Sequence, residues 1–99
     1  MPVRIKFNKA GTIAYIPSWT PEGVLIVVDV ATRKEIKRVK VGSHAIGVEL
    51  TPDENFAYVG CEALDGLHVV DTKTLQVVKV IYTGDGPDPI SMWYPGEIK

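Results

Sequence analysis

Cysteine is almost absent from this chain. Cys61 is the only one in 99 residues, so no internal disulfide can form and no cysteine-based zinc site can assemble. A surplus of positive charge is missing too. Eleven Lys and Arg face twelve Asp and Glu, a net charge of −1. Nucleic-acid binding draws on excess cations to neutralise phosphates, and that class is excluded. No apolar run approaches the roughly 18–20 residues that span a bilayer. The first residues, "MPVRIKFNK", carry no apolar core of a secretory signal. No glycine-rich phosphate loop, nucleophile elbow or His-Glu zinc helix occurs. Helical periodicity is likewise lacking over any useful length.

What remains is alternation. Apolar residues recur with a period of two between short clusters of turn residues, which predicts an all-β chain. Strands are expected near 3–7, 13–17, 24–29, 35–41, 46–51, 56–61, 66–71 and 76–82. Val, Ile, Tyr and Thr crowd these segments and suit a pleated surface packed on both sides.

The chain also repeats itself. Ile5-Lys6-Phe7 matches Val48-Glu49-Leu50, and Ile13-Ala14-Tyr15-Ile16 matches Phe56-Ala57-Tyr58-Val59, both at an offset of 43. "GVLIVVD" at 23–29 matches "GLHVVD" at 66–71 with one residue inserted in the first copy. Beyond it the offset is 42, pairing Thr32 with Thr74, Ile36 with Val78, Val39 with Ile81 and Gly42 with Gly84. Ile90-Ser91-Met92 begins a third copy. The expected organisation is one domain over 1–99, with repeats at about 3–45 and 46–88 and a partial third strand at 89–94. Four strands per repeat of about 42 residues indicate a β-propeller blade.

"TPDENFAYVG" and "GLHVVDTKTLQVVKVIYTG" resemble the YVTN-type β-propeller repeat, over about residues 3–92. That pattern runs Ser/Thr-Pro-Asp-Gly, Ala-Tyr-Val, Val-Ile-Asp and Thr-Gly-x-Val-Val. Glu54 stands at one of its usual glycines, and Arg33 and Leu75 at the other. Glu54 cannot supply positive φ cheaply, whereas Asn55 beside it tolerates the left-handed region. The resemblance implies a surface or extracytoplasmic binding module, while the residues themselves fix no compartment.

Residues common to both copies shape the blade. Asp29 and Asp71 each end a Val-rich strand and read as turn residues, not as paired catalytic carboxylates. Tyr15 and Tyr58 read as packing aromatics. Trp19, His44, Cys61, His68, Met92, Trp93 and Tyr94 have no counterpart. His44, in "VGSHAIG", lies on the connection into the second repeat, where propeller ligands gather around the channel. A histidine there suits a metal, a heme or general-base work, and equally a solvated loop. His68 reads as a packing or edge residue, and Cys61 as a buried thiol. "RKEIKRVK" at 33–40 reads as an outer strand whose cations discourage edge-to-edge pairing.

Two blades do not close a propeller, which takes about four to eight. Two wet blade faces, at about 25 cal/mol per Å², cost as much as a small domain's whole stability. The expected fold is therefore two four-stranded antiparallel blades that close by head-to-tail oligomerisation, a six-bladed homotrimer being favoured. The first reading is a non-enzymatic scaffold that binds itself and an unknown protein or small ligand, with no cofactor, nucleic acid or membrane span. Its candidate binding residues are Ser43, His44, Asp85, Asp88 and Trp93. The alternative is a piece of a propeller oxidoreductase of the cytochrome cd1 or quinoprotein kind. That reading needs a heme or quinone pocket, with His44 as its ligand.

Overall fold

The computed structural model describes residues 4–62 and 66–81. These form eight strands: β1 (Lys6–Phe7), β2 (Ile13–Pro17), β3 (Val24–Asp29), β4 (Lys34–Lys40), β5 (Ala45–Leu50), β6 (Phe56–Cys61), β7 (Leu67–Asp71) and β8 (Gln76–Ile81). They pair in chain order into two four-stranded sheets, β1-β2-β3-β4 and β5-β6-β7-β8, every pair antiparallel. All eight expected strands are present. The first is shorter than expected because the Arg4 N–H donates to the carbonyl of Ile46 in the second sheet, 3.3 Å away.

The repeat in the sequence is a repeat in register. Both outer pairs carry a bulge at the same place, between Val27 and Val28 in one sheet and between Val69 and Val70 in the other. Asp29 and Asp71 perform the same task in each. The Oδ1 of Asp29 accepts from the N–H groups of Ala31 and Thr32, and that of Asp71 from Lys73 and Thr74. Each aspartate also accepts through its carbonyl from the residue four positions on, Arg33 or Leu75. These bonds close the turn, and they hold Arg33 at φ 60° and Leu75 at φ 56°. The glycine of the repeat pattern is replaced without losing the conformation that glycine favours.

In the turn at 51–55 Glu54 itself takes the left-handed conformation, at φ 63°, despite its cost for a side chain. Its backbone N–H donates to the Thr51 carbonyl, its own carbonyl accepts from Thr72 Oγ1, and its Oε2 accepts from the Lys9 N–H at 2.6 Å. These three bonds offset a cost of about 1–2 kcal/mol for a side chain in that region. Lys9 Nζ also donates to the Pro52 carbonyl, so the equivalent turns of the two repeats are tied together.

One core lies between the sheets. Tyr15, Leu25, Val27 and Val39 of the first sheet interleave with Val48, Ala57, Val59, Cys61 and Val70 of the second. The far face of the first sheet is open, with Ile5 and Phe7 each about half exposed (51% and 53%). Their counterparts Val48 and Leu50 pack into the shared core. Among the described residues the two sheets thus pack pairwise and do not close a ring, contrary to the closed propeller expected. No helix of the described residues is long and apolar enough to cross a membrane.

Candidate functional site

Antiparallel strands in chain order send alternate loops to opposite ends. Turns 8–12, 30–33, 51–55 and 72–75 lie at one end, where their polar side chains serve the backbone. Loop 18–23, the inter-sheet link 41–44 and Glu62 meet at the other. His44 is their junction.

The link begins with a close approach of two backbones. Gly23, at φ 70°, lies so near Gly42 that a Cβ on it would stand 1.8 Å from the Gly42 carbonyl oxygen. The Gly23 carbonyl accepts from the Val41 N–H, and its own N–H donates to Thr20 Oγ1. Loop and link are therefore fixed to one another before His44 is reached.

Almost every group of His44 is then engaged. Its N–H donates to the Thr20 carbonyl at 2.8 Å, and its carbonyl accepts from the Glu62 N–H at 3.2 Å. Nδ1 lies 3.0 Å from Ser43 Oγ. The ring packs against Trp19 with centroids 4.4 Å apart and planes inclined by 52°. Nε2 has no hydrogen-bond partner among the described residues. His44 also sits at φ 53°, where the next repeat has Gly86 by the offset of 42. Histidine is among the residues enriched in that region, but the position still costs more than glycine would.

Of the expected binding residues, Ser43 and His44 come together here. Asp85, Asp88 and Trp93 lie outside the described residues, as do Met92 and Tyr94. Trp19 has no role in the sequence reading, yet it covers the imidazole. Its signal is positional: Trp19 departs from the repeat at the place of Glu62, and its loop and the link reach the same end of the fold. Cys61 is fully buried at the end of β6, its Sγ 3.8 Å from Nδ1 of the half-buried His68. Both belong to the second sheet, and Cys61 is part of the core between the sheets.

No group of three or more His, Cys, Asp and Glu gathers to hold a metal ion among the described residues. These residues therefore give a bare cation no cage. Iron already held by a macrocycle has a smaller demand, one imidazole and aromatic or apolar walls. His44 Nε2 and the partly exposed face of Trp19 fit that demand as one side of a pocket.

A family model described as the cytochrome D1 heme domain matches residues 6–89. The chain belongs to the cytochrome D1 heme domain family. Among solved structures it is similar to hydrazine synthase of Kuenenia stuttgartiensis, at 31% identity and a TM-score of 0.75. That likeness covers 82% of this chain and 23% of the hydrazine synthase chain. No curated protein matches.

Membership of the cytochrome D1 heme domain family corrects the YVTN assignment. The Ala-Tyr-Val and Val-Val-Asp segments that suggested it build β2, β3, β6 and β7 and the turns after them. They encode a blade of this geometry, and so do not separate one propeller family from another. The likeness to hydrazine synthase corrects the expected homotrimer and its self-association. There the matching two-blade stretch is a small part of one long polypeptide, so its neighbours need not be further copies of itself. The lean away from an enzyme is also overturned, since both matches are to enzymatic proteins.

Proposed function

We propose that this chain supplies two blades of a heme-carrying enzyme domain of the cytochrome cd1 and hydrazine synthase kind. Its His44 end faces the cofactor. The family match over residues 6–89 carries this reading. It is supported locally by an imidazole held through its backbone, its Nδ1 and its ring face, which leaves Nε2 to present. His44 would offer that nitrogen to iron or to an iron-bound group, and Trp19 would form an aromatic wall beside it. When bound, the heme supplies one-electron chemistry at its iron. The residues of this chain orient, shield and hold a proton or a lone pair at Nε2.

Titration with hemin tests the reading. The expected result is a saturable Soret band whose position shifts in His44→Gly and not in Lys79→Ala. No band, or the same band in both variants, would refute it.

A further inference from the structure

The outer strand β4 carries a charge pattern that neither the blade nor the heme site uses. Residues 33–40 hold five cations and one carboxylate, a local balance of +4. Six cations and eleven carboxylates are spread over the other 91 residues, a balance of −5. The sequence is thus polarised, net positive over 33–40 and net negative over the remainder. All of Arg33, Lys34, Lys37, Arg38 and Lys40 are exposed. Glu35 is consumed by Arg38, whose Nε lies 2.8 Å from its Oε2. The other four cations make no ion pair among the described residues.

Edge protection alone does not account for this set. The strand β8 ends the second sheet in the same way and has the same bulge in its pairing with β7. At the places of Arg33, Lys34, Arg38 and Lys40 the second repeat has Leu75, Gln76, Val80 and Tyr82, and only Lys79 repeats Lys37. One cation and a bulge suffice there. The additional charge on β4 is specific to the first blade.

We infer that the β4 edge is a docking surface for an acidic patch on a protein partner. At about 3.3 Å per residue, Lys34 to Lys40 extend over roughly 20 Å, the size of a small protein contact and not of an extended lattice. The exposed Ile36 (48%) lies among the cations and offers an apolar centre. The bulge disfavours addition of a further strand, so recognition runs through side chains. A duplex nucleic acid or an anionic membrane plane would extend beyond roughly 20 Å and meet the rest of the described residues, where seven carboxylates outnumber five cations. An acidic protein patch matches the edge and is turned toward it by the polarity of the whole chain.

The test uses fluorescein-labelled octaglutamate, a short DNA duplex and phosphatidylserine vesicles as probes of the intact chain. Octaglutamate is expected to bind with an affinity that falls as salt rises. It should weaken about tenfold or more in Lys34→Glu/Lys37→Glu/Lys40→Glu and change less than about twofold in Lys73→Glu/Lys79→Glu. The milder Lys34→Gln/Lys37→Gln/Lys40→Gln set separates loss of charge from loss of fold, and its loss should be intermediate. Absence of octaglutamate binding, equal loss in both reversal variants, or tighter binding of DNA or vesicles would overturn the proposal. None of these readouts involves heme, so they are independent of the proposed cofactor.

Discussion

The backbones of Gly23 and Gly42 approach so closely that the hydrogen on the Gly23 Cα fills the only space available to it. Gly23→Ala places a methyl carbon inside the Gly42 carbonyl and adds a side chain at φ 70°. Both faults act together, because the obstacle is backbone and cannot rotate away. The expected cost is about 3 kcal/mol or more, read as a lower urea midpoint. Gly11→Ala is the control, since a Cβ there meets nothing within 4 Å and only the positive φ, 72°, opposes it. It should cost about 1 kcal/mol. Similar losses at both positions would mean that the link is free to shift away from its loop.

Arg33 and Leu75 occupy the same place in the two repeats and share the left-handed conformation. Their glycine variants should nonetheless change stability in opposite directions. Arg33 is exposed, so Arg33→Gly relieves strain at little loss of contact and should stabilise by about 0.5–1 kcal/mol. Leu75 packs against the core between the sheets. Leu75→Gly gives up that packing and should destabilise by about 1–2 kcal/mol despite the same relief. Thermal unfolding of the two variants checks both signs.

Most of the fold is legible in the sequence because its causes are local. Alternation at 13–17 and 56–61, and the Asp-to-Thr turns after β3 and β7, recur in both copies and need no tertiary knowledge. Glu54 is different. Two of the three bonds that support its left-handed φ come from Thr72 and from Lys9, 18 and 45 residues away in the chain, and Lys9 reaches it only after the sheets pack. The site is half legible for the same reason. His44 stands out as a residue without a repeat counterpart, but Trp19 becomes its neighbour only through the contact of loop 18–23 with the link. The family is not legible in these segments, since residues that build a blade are shared among blades of different function.

The chain should lose stability at both ends of the pH scale through different groups. Asp53 is held below the usual aspartate range, first by the Thr51 hydroxyl and then by the Asn55 N–H. Its contribution is therefore present above the unfolded pKa and lost as pH falls through the lower folded value. Tyr15 and Tyr58 are pushed above the usual tyrosine value, chiefly by burial, with Glu54 and Asp53 as the respective nearby charges. For them stability is intact below the unfolded pKa near 10 and is lost as pH rises through the higher folded one. Urea midpoints across pH should show Thr51→Ala flattening the acid limb and Tyr15→Phe reducing the alkaline one. An unchanged alkaline limb in Tyr15→Phe would assign that loss to other groups.

His44 separates conformation from chemistry, because its backbone favours glycine while its ring has a neighbour. His44→Gly removes the strain of φ 53° along with the imidazole, and should leave stability within about 1 kcal/mol of the parent. His44→Ala removes the imidazole and keeps the strain, so it should be the less stable of the two by about 1 kcal/mol. In both, Trp19 loses its only ring partner among the described residues, and its emission should change equally. The measurements are made in a Trp93→Phe background, so that emission reports Trp19 alone. If His44→Gly were as stable as the parent but Trp19 emission stayed unchanged, the ring contact would be incidental. If instead both variants unfolded together, the imidazole would be a structural clasp between the blades, and Nε2 would not be held in reserve for a cofactor.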